Sequence, residues 1–361
     1  MLAKLYDILH EPLAMTLCLA GILGHSFSIN VLSKMPNPTN LLLISMSCSQ
    51  LLLCINFLYS TLYKYGSDEL CLSSLWSYAW TGTLLISVNV SVLVHMTGVF
   101  HVVALSIIRY MSLRQLSQTT SHVQWFNMKK CINTLIIIYI SVIVICGPIY
   151  FHSHIAESNE PDENCLVKYP SLVNTSVHYL EFSSNEQLQQ LNFWLFGFVC
   201  KLVPCSVLSM MTILLLRELK KLRELSSRFQ NVERDRQYSR TTNMIIIIMV
   251  VFIVVEFPQG VLTVAQSITQ IPYQDTLGDL FESLTLLTSC IIFGLFFTMN
   301  SRLRDEFMET VHTIYKKCGI SSFSTISFIK SHFVHKSVLT PESRSLMQNG
   351  ITNRTYGDTD V

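Results

Sequence analysis

The chain has 361 residues, of which 50% are hydrophobic and 14% are charged, with a formal net charge of +1. Soluble domains average about 25% charged residues, and the mean hydropathy here is +0.41, so the composition excludes an ordinary soluble globule. The net charge by itself says nothing about partners, and no nucleic-acid partner is predicted.

Seven runs of roughly 20 or more apolar residues are long enough to cross a bilayer as helices. They lie at residues 13–33, 41–63, 81–107, 131–151, 191–216, 243–268 and 277–299. The first run is too long for the core of a signal peptide, so we expect it to be retained as the first span. The sequence therefore predicts an all-α membrane protein, a seven-transmembrane helix bundle at the plasma membrane.

Basic residues mark one side of this bundle. Lys and Arg concentrate in alternate connections, at 34–40, 109–130 and 217–241, and again at 300–317, whereas the intervening connections are acidic. Basic loops stay in the cytoplasm, so the N-terminus is predicted outside. The predicted organisation is a short extracellular N-terminus at 1–12, a seven-transmembrane bundle with a membrane-parallel helix at 13–318, and a disordered cytoplasmic tail at 319–361.

The cysteines divide by compartment. Of the eleven, only Cys71 and Cys165 fall in predicted outer loops, on the side where disulfides form. We predict a disulfide between them; the alternative is two unpaired thiols. Asn174 begins an Asn-Thr-Ser sequon in the same long outer loop, where glycosylation is permitted.

The sixth run contains the clearest chemical signal. An unbroken apolar stretch from Met244 to Val255 leads directly into Glu256 and Pro258. Ionisable groups at bilayer depth are costly and usually mark function, while Pro258, like Pro204 in the fifth run, is predicted to kink its helix. Lys201 lies near the middle of the fifth run, so we expect a buried Lys201–Glu256 ion pair. Participation of the pair in ligand binding or switching is the alternative.

Two histidines of the third run, His95 and His101, are six residues apart and so lie on different helix faces. A metal-binding pair would favour a spacing of four residues. We therefore expect two core histidines with satisfied hydrogen bonds, and no metal or other cofactor.

Several short motifs carry a resemblance to a known family. Arg109-Tyr110 closes the third run, Gly24-His25 lies late in the first, and Pro204 and Pro258 occupy the fifth and sixth. With the segment Ser301 to Phe307 as an amphipathic helix after the seventh span, the chain resembles the rhodopsin-like (class A) G-protein-coupled receptors.

The chain also departs from that family's pattern. Gln50 stands where the second-helix Asp of the sodium site is expected, and Ile108 replaces the acid before Arg109. Glu256 replaces the sixth-helix Trp, and residues 292–296 lack the Asn-Pro-x-x-Tyr motif. Leu84 falls where the third-helix cysteine should be, which leaves Cys71 as the disulfide candidate.

Glu256-Phe-Pro-Gln-Gly, together with Lys201-Leu-Val-Pro-Cys, looks like the myosuppressin/FMRFamide-like peptide receptors. It is similar as well to related nematode serpentine receptors, some of which are classed as chemoreceptors. The resemblance implies an amidated neuropeptide as ligand and a heterotrimeric G protein as partner. A serpentine chemoreceptor for a small molecule is the alternative.

If the ligand is such a peptide, acidic residues in the bundle are candidates for binding it. An Arg-Phe-amide ligand needs a carboxylate partner for its arginine; Glu282, near the outer end of the seventh run, is the first choice and Glu256 the second. The alternative for Glu282 is a solvated acid at the interface. Four aromatic residues are candidates for lining the pocket, although belt anchoring is the commoner role of such residues: Tyr78, Trp80, Trp194 and Phe198.

The resemblance assigns G-protein coupling to Arg109, Tyr110 and Arg114. Because Ile108 cannot hold Arg109 by charge, we expect packing to maintain the resting state, with Tyr238 at the facing end of helix six as a partner for the arginine. The Ser/Thr-rich tail offers phosphorylation sites for kinases and arrestin, and its end at Val361 fits a PDZ groove.

Two other classes are disfavoured. An enzyme with a catalytic zinc needs ligands converging at one depth, which His95 and His101 do not provide. A channel or transporter needs repeated polar pore faces or internal repeats, and neither is visible in the sequence.

Overall fold

A computed structural model describes the chain at residues 2–118, 125–226, 232–269, 274–299 and 301–317. Seven helical stretches within these ranges are long and apolar enough to cross a membrane. They are His10–Ser33, Pro38–Glu69, Tyr78–Gln115, Met128–Phe151, Glu186–Leu222, Ser239–Gln266 and Leu277–Thr298. The predicted seven-helix bundle is confirmed.

The α-helices are α1 (Leu2–Ser33), α2 (Pro38–Lys64), α3 (Tyr78–Gln118), α4 (Met128–Cys146), α5 (Glu163–Lys168), α6 (Glu186–Phe193), α7 (Val203–Ser226), α8 (Val232–Gln266), α9 (Gln274–Met299) and α10 (Ser301–Lys317). The fifth span is continuous but not uniformly α-helical, because a π-helical segment, Trp194–Leu202, joins α6 to α7. A shorter π-helical turn, Tyr65–Glu69, extends α2. Three 3₁₀ turns lie at Ser73–Trp76, Gly147–Phe151 and Pro170–Leu172.

Local sequence explains where several helices begin and end. The backbone N–H of Asn40 donates to Asn37 Oδ1 at 2.7 Å, and Pro38 follows this cap at the first helical position of α2, where a missing N–H costs nothing. Asn127 caps α4 in the same way, accepting from the backbone N–H of Lys130 at 3.0 Å. The α-helix α4 ends at Cys146, just before Gly147 and Pro148.

The structure has two features that the sequence did not predict. α1 begins at Leu2, so the segment 1–12 predicted as a short N-terminus is helical from that residue; a few charged residues are compatible with helix. The long loop after α4 contains an antiparallel pair, β1 (Ser153–Ser158) and β2 (Val177–Phe182), with Ser153 opposite Phe182 and Ser158 opposite Val177. The all-α prediction did not include this hairpin.

The helices form a closed ring around α3. α1 packs on α2 and on α9, α7 packs on α8, and α3 contacts α2, α4, α7 and α8. Many large apolar side chains point away from the ring; Leu23, Ile137 and Val144 are 73%, 64% and 70% exposed. Polar side chains are meanwhile buried inside, which is the arrangement a lipid environment favours.

The chain divides into two units at residue 304, and the bundle belongs to the first. In the second, α10 continues to Lys317. The predicted tail at 319–361, including Val361, lies outside the described residues.

Candidate functional site

A cavity of about 780 Å³ opens at one end of the bundle. We call this the disulfide end, because Cys71 and Cys165 lie there. The wall combines α2, α3, α8, α9 and the π-helical segment with the hairpin and the loop that follows it. Glu282 of α9 is an acid on the helical part of this wall, and Lys64 of α2 lines the same cavity.

The buried end of the cavity is a polar cluster that we call the floor cluster, consisting of His95, Lys201, Glu256 and Gln259. Lys201 Nζ donates to Glu256 Oε2 at 2.7 Å and to Gln259 Oε1 at 2.7 Å. His95 Nε2 lies 3.2 Å from each oxygen of Glu256, and since a carboxylate only accepts, this nitrogen donates. Lys201 Nζ also lies 4.7 Å from the centre of the Phe196 ring, within the range of a cation–π contact.

The members of the floor cluster differ in access. His95, Lys201 and Gln259 line the cavity, whereas Glu256 is not among its lining residues. Glu256 is 2% exposed and Lys201 1%. Glu256 therefore serves mainly as the partner of Lys201 and His95, both of which it contacts through hydrogen bonds.

Two glycines bring the fifth and sixth spans close enough for this contact. A Cβ on Gly260 would lie 2.9 Å from Lys201 Cβ and 3.1 Å from the Gly197 carbonyl oxygen. A Cβ on Gly197 would lie 3.0 Å from the backbone nitrogen of Val264. The 2.9 Å distance is shorter than real Cβ contacts, and the 3.0 and 3.1 Å distances are tighter than most of them, so side chains at these positions would push the π-helical segment away from α8.

The disulfide end is braced by covalent and polar contacts. Cys71 and Cys165 form the predicted disulfide, which packs with Trp76 in a small buried cluster. Thr81 Oγ1 donates to the His178 carbonyl at 3.0 Å, joining β2 to the start of α3. The hairpin is thereby held over the cavity, to which Ser158, Val177 and Tyr179 contribute.

Outside the spans, His152 lies at the base of the hairpin. Its ring stacks on Phe182 with 5.1 Å between centroids. Burial lowers the pKa of His152 below its ordinary value, because a partly dehydrated imidazolium loses hydration.

The four aromatic candidates do not line the cavity. Tyr78, Trp80, Trp194 and Phe198 are 65%, 47%, 45% and 46% exposed, on the outer surface of the bundle. The aromatic residues that do line it come from other positions: Phe57, Tyr63, Trp76, Tyr179 and Phe196. The sequence pattern could not separate these sets, because long apolar helices carry aromatic residues on both faces.

The two histidines have separate environments. His101 Nδ1 lies 2.6 Å from the Thr97 carbonyl oxygen and Nε2 lies 2.8 Å from Ser45 Oγ, so both ring nitrogens have partners. His95 instead belongs to the floor cluster. Among the described residues, no group of three or more His, Cys, Asp or Glu side chains is placed to hold a metal ion.

The opposite end of the bundle carries Arg109, which lies 14 residues, or about 21 Å at 1.5 Å per residue, along α3 from His95 at the buried end of the cavity. Ile108 is buried, while Arg109 and Tyr110 are partly buried and Arg114 is exposed. Arg109 and Arg114 both have interaction partners. The side chain of Tyr238 lies outside the described residues.

Seven membrane-crossing helices around a capped cavity define a multi-pass membrane protein of the seven-helix receptor type. The family model of the serpentine type 7TM GPCR chemoreceptor Srw matches residues 12–313. The chain therefore belongs to this family and is a G-protein-coupled receptor.

A relative from Caenorhabditis elegans agrees with this assignment. The chain is 26% identical over 349 residues to "G-protein coupled receptor dmsr-1", a match that covers 84% of this chain and 68% of that protein. The predicted resemblance to G-protein-coupled receptors and to nematode serpentine receptors is confirmed. Both matches are to receptors rather than to enzymes.

Proposed function

We propose that this receptor binds an extracellular, C-terminally amidated neuropeptide of the FMRFamide/myosuppressin-like class in the cavity at its disulfide end. The signal then passes to a heterotrimeric G protein at the Arg109 end. The observation that carries the proposal is the cavity itself, which combines Glu282 on its wall with a polar floor. A plasma-membrane location follows from this role.

The proposed orientation has the disulfide end outside the cell. Disulfides form and persist in the oxidising extracellular compartment, and the connections at the other end carry the excess of Lys and Arg. Asn174 is exposed on the loop between the disulfide and β2, so it is available for glycosylation in this orientation.

The size and lining of the cavity suit the terminal residues of such a peptide. A volume of about 780 Å³ falls within the roughly 300–1,000 Å³ of sites that enclose small ligands. Glu282 supplies a carboxylate for a peptide arginine, an interaction that strengthens in a partly dehydrated pocket. Aromatic residues such as Phe57 and Phe196 offer apolar surface to a phenylalanine ring.

Acids at the mouth of the cavity support a cationic ligand. Asp68, on the π-helical turn that extends α2, and Glu160 and Asp162, in the loop after β1, also line the cavity. Negative charge around an opening raises the local concentration of cations and their rate of association. A peptide containing arginine is therefore attracted before it is bound.

The experiment that tests the proposal is a screen of amidated peptides in cells that express the receptor with a promiscuous G protein. We expect a concentration-dependent second-messenger response to Arg-Phe-amide peptides that is absent from cells without the receptor. No response to any amidated peptide would contradict the proposal. A response to small molecules instead would favour the second candidate, a chemoreceptor, which is supported by the family's description.

Kinases, arrestin and a PDZ protein are proposed partners of the tail. Their predicted sites lie outside the described residues.

A further inference from the structure

The charges of the floor cluster cancel. Lys201 and Glu256 contribute one positive and one negative charge at a separation of 2.7 Å, and Gln259 contributes none. His95 adds a charge only when its imidazole is protonated. With that imidazole neutral, the buried end of the cavity is polar but carries no net charge.

The groups of the floor cluster that face the cavity offer both a hydrogen-bond donor and an acceptor. Gln259 accepts from Lys201 through Oε1, which leaves its amide N–H groups to donate to a ligand. A neutral His95 donates to Glu256 through Nε2, so its Nδ1 is left as an acceptor for a donor on the ligand. Glu256, the negative member, is almost fully buried and is not among the residues that line the cavity.

We propose that the floor cluster selects a neutral carboxamide over a free carboxylate at the C-terminus of the bound peptide, and that Glu256 sets this selectivity. This inference rests on the proposed function, because it assigns the deep end of the same cavity. Glu256 acts through Lys201 as a positioning and charge-setting residue, and it does not touch the ligand.

The physical reason is the net charge at the buried end of the cavity, where little water is present to solvate an extra charge. A carboxamide oxygen accepts hydrogen bonds from the floor and adds no charge, so its burial needs only polar partners. A carboxylate brings a negative charge next to Lys201, whose charge Glu256 already neutralises. Burying a charge without its own counter-ion is strongly unfavourable, so the free acid binds more weakly.

A series of variants that changes the charge of the floor tests this inference. The probes are Phe-Met-Arg-Phe-amide and the same tetrapeptide with a free C-terminal carboxylate. The readout is the ratio of their potencies on cells with matched surface expression.

Each variant has an expected direction. Glu256→Gln keeps the side-chain size but leaves the floor positive, so the preference for the amide should shrink by about tenfold or more. Gln259→Glu adds a negative charge beside Lys201 and leaves the Lys201–Glu256 ion pair intact. The preference for the amide over the free acid should therefore increase. The double variant Lys201→Gln, Glu256→Gln is again neutral and should keep the wild-type ratio.

The outcomes separate this inference from the proposed function. A response with the same amide-to-acid ratio in Gln259→Glu as in wild type would overturn the inference alone, even if Glu256→Gln does not reach the surface. Loss of the preference in the neutral double variant would overturn it too, because Lys201 itself would then be the selective group. Failure of both peptides to activate the wild-type receptor would overturn the proposed function and this inference with it.

Discussion

Lys201 Nζ lies 2.7 Å from Glu256 Oε2 in the middle of the bundle, where the two side chains are 1% and 3% exposed. Each ion also has a second partner, since Lys201 donates to Gln259 and Glu256 accepts from His95. These extra hydrogen bonds matter, because attraction between two buried charges often fails to offset their lost hydration. A pair that forms part of a cavity can be both a structural contact and an element on which ligand binding acts.

Glu256→Gln should reduce the amount of folded receptor at the cell surface. The change leaves Lys201 as a buried cation without a counter-ion, which costs about 3–5 kcal/mol. The double change Lys201→Met, Glu256→Gln removes both charges and should restore surface expression. Quantitative surface labelling checks both outcomes. If Glu256→Gln alone is expressed and signals like the wild type, the Lys201–Glu256 pair is not required for folding.

Gly260→Ala should lower the melting temperature of the purified receptor. The added methyl group would press on Lys201 Cβ and the Gly197 carbonyl, and such overpacking costs about 1–3 kcal/mol. Gly294→Ala is the matched control, because nothing lies within 4 Å of its added Cβ, and alanine is the better helix former. Equal melting temperatures for the two variants would show that the close approach is not needed.

Much of the fold could be predicted because its signals are local. The length of the apolar runs gives seven spans, and the positions of Cys71 and Cys165 in alternate loops give the disulfide. The hairpin was missed because six-residue strands inside a polar loop produce little pattern. The π-helical segment was missed because one extra residue per turn leaves the apolar run unchanged.

The floor cluster was only partly predictable. Two ionisable residues at similar depth in neighbouring spans indicate a pair, which is how Lys201 and Glu256 were identified. Gln259 is three residues from Glu256 and so shares its helix face, a signal that could have been used. The role of His95 depends on how α3 is rotated against α8, which no local pattern reveals.

Loss of Cys71 or Cys165 should impair peptide response to the same extent as loss of both. Each single Ser variant removes the same bond, so the double variant has nothing further to lose. Cys48→Ser is a suitable control, since Cys48 is a free cysteine elsewhere in the bundle. Non-reducing peptide mapping of surface receptor should recover the two segments linked, and recovery of both as free thiols would disprove the bond.

Arg109→Ala should abolish signalling while peptide binding persists, because Arg109 lies far along α3 from the cavity. Ile108→Asp should lower basal activity, since it supplies a resting-state partner that the agonist must overcome. Radioligand binding and second-messenger assays on surface-matched cells separate the two effects. Full agonist efficacy of Arg109→Ala would mean that coupling does not use this residue.

The most direct test of the account is the response of Glu282→Gln to an Arg-Phe-amide peptide. The change keeps the size of the side chain that lines the cavity but removes the charge proposed to hold the peptide arginine. We predict a potency loss of about tenfold or more, with surface expression unchanged and with a smaller loss when the peptide arginine is replaced by citrulline. Wild-type potency in Glu282→Gln for the arginine peptide would contradict binding of the peptide in this cavity through Glu282.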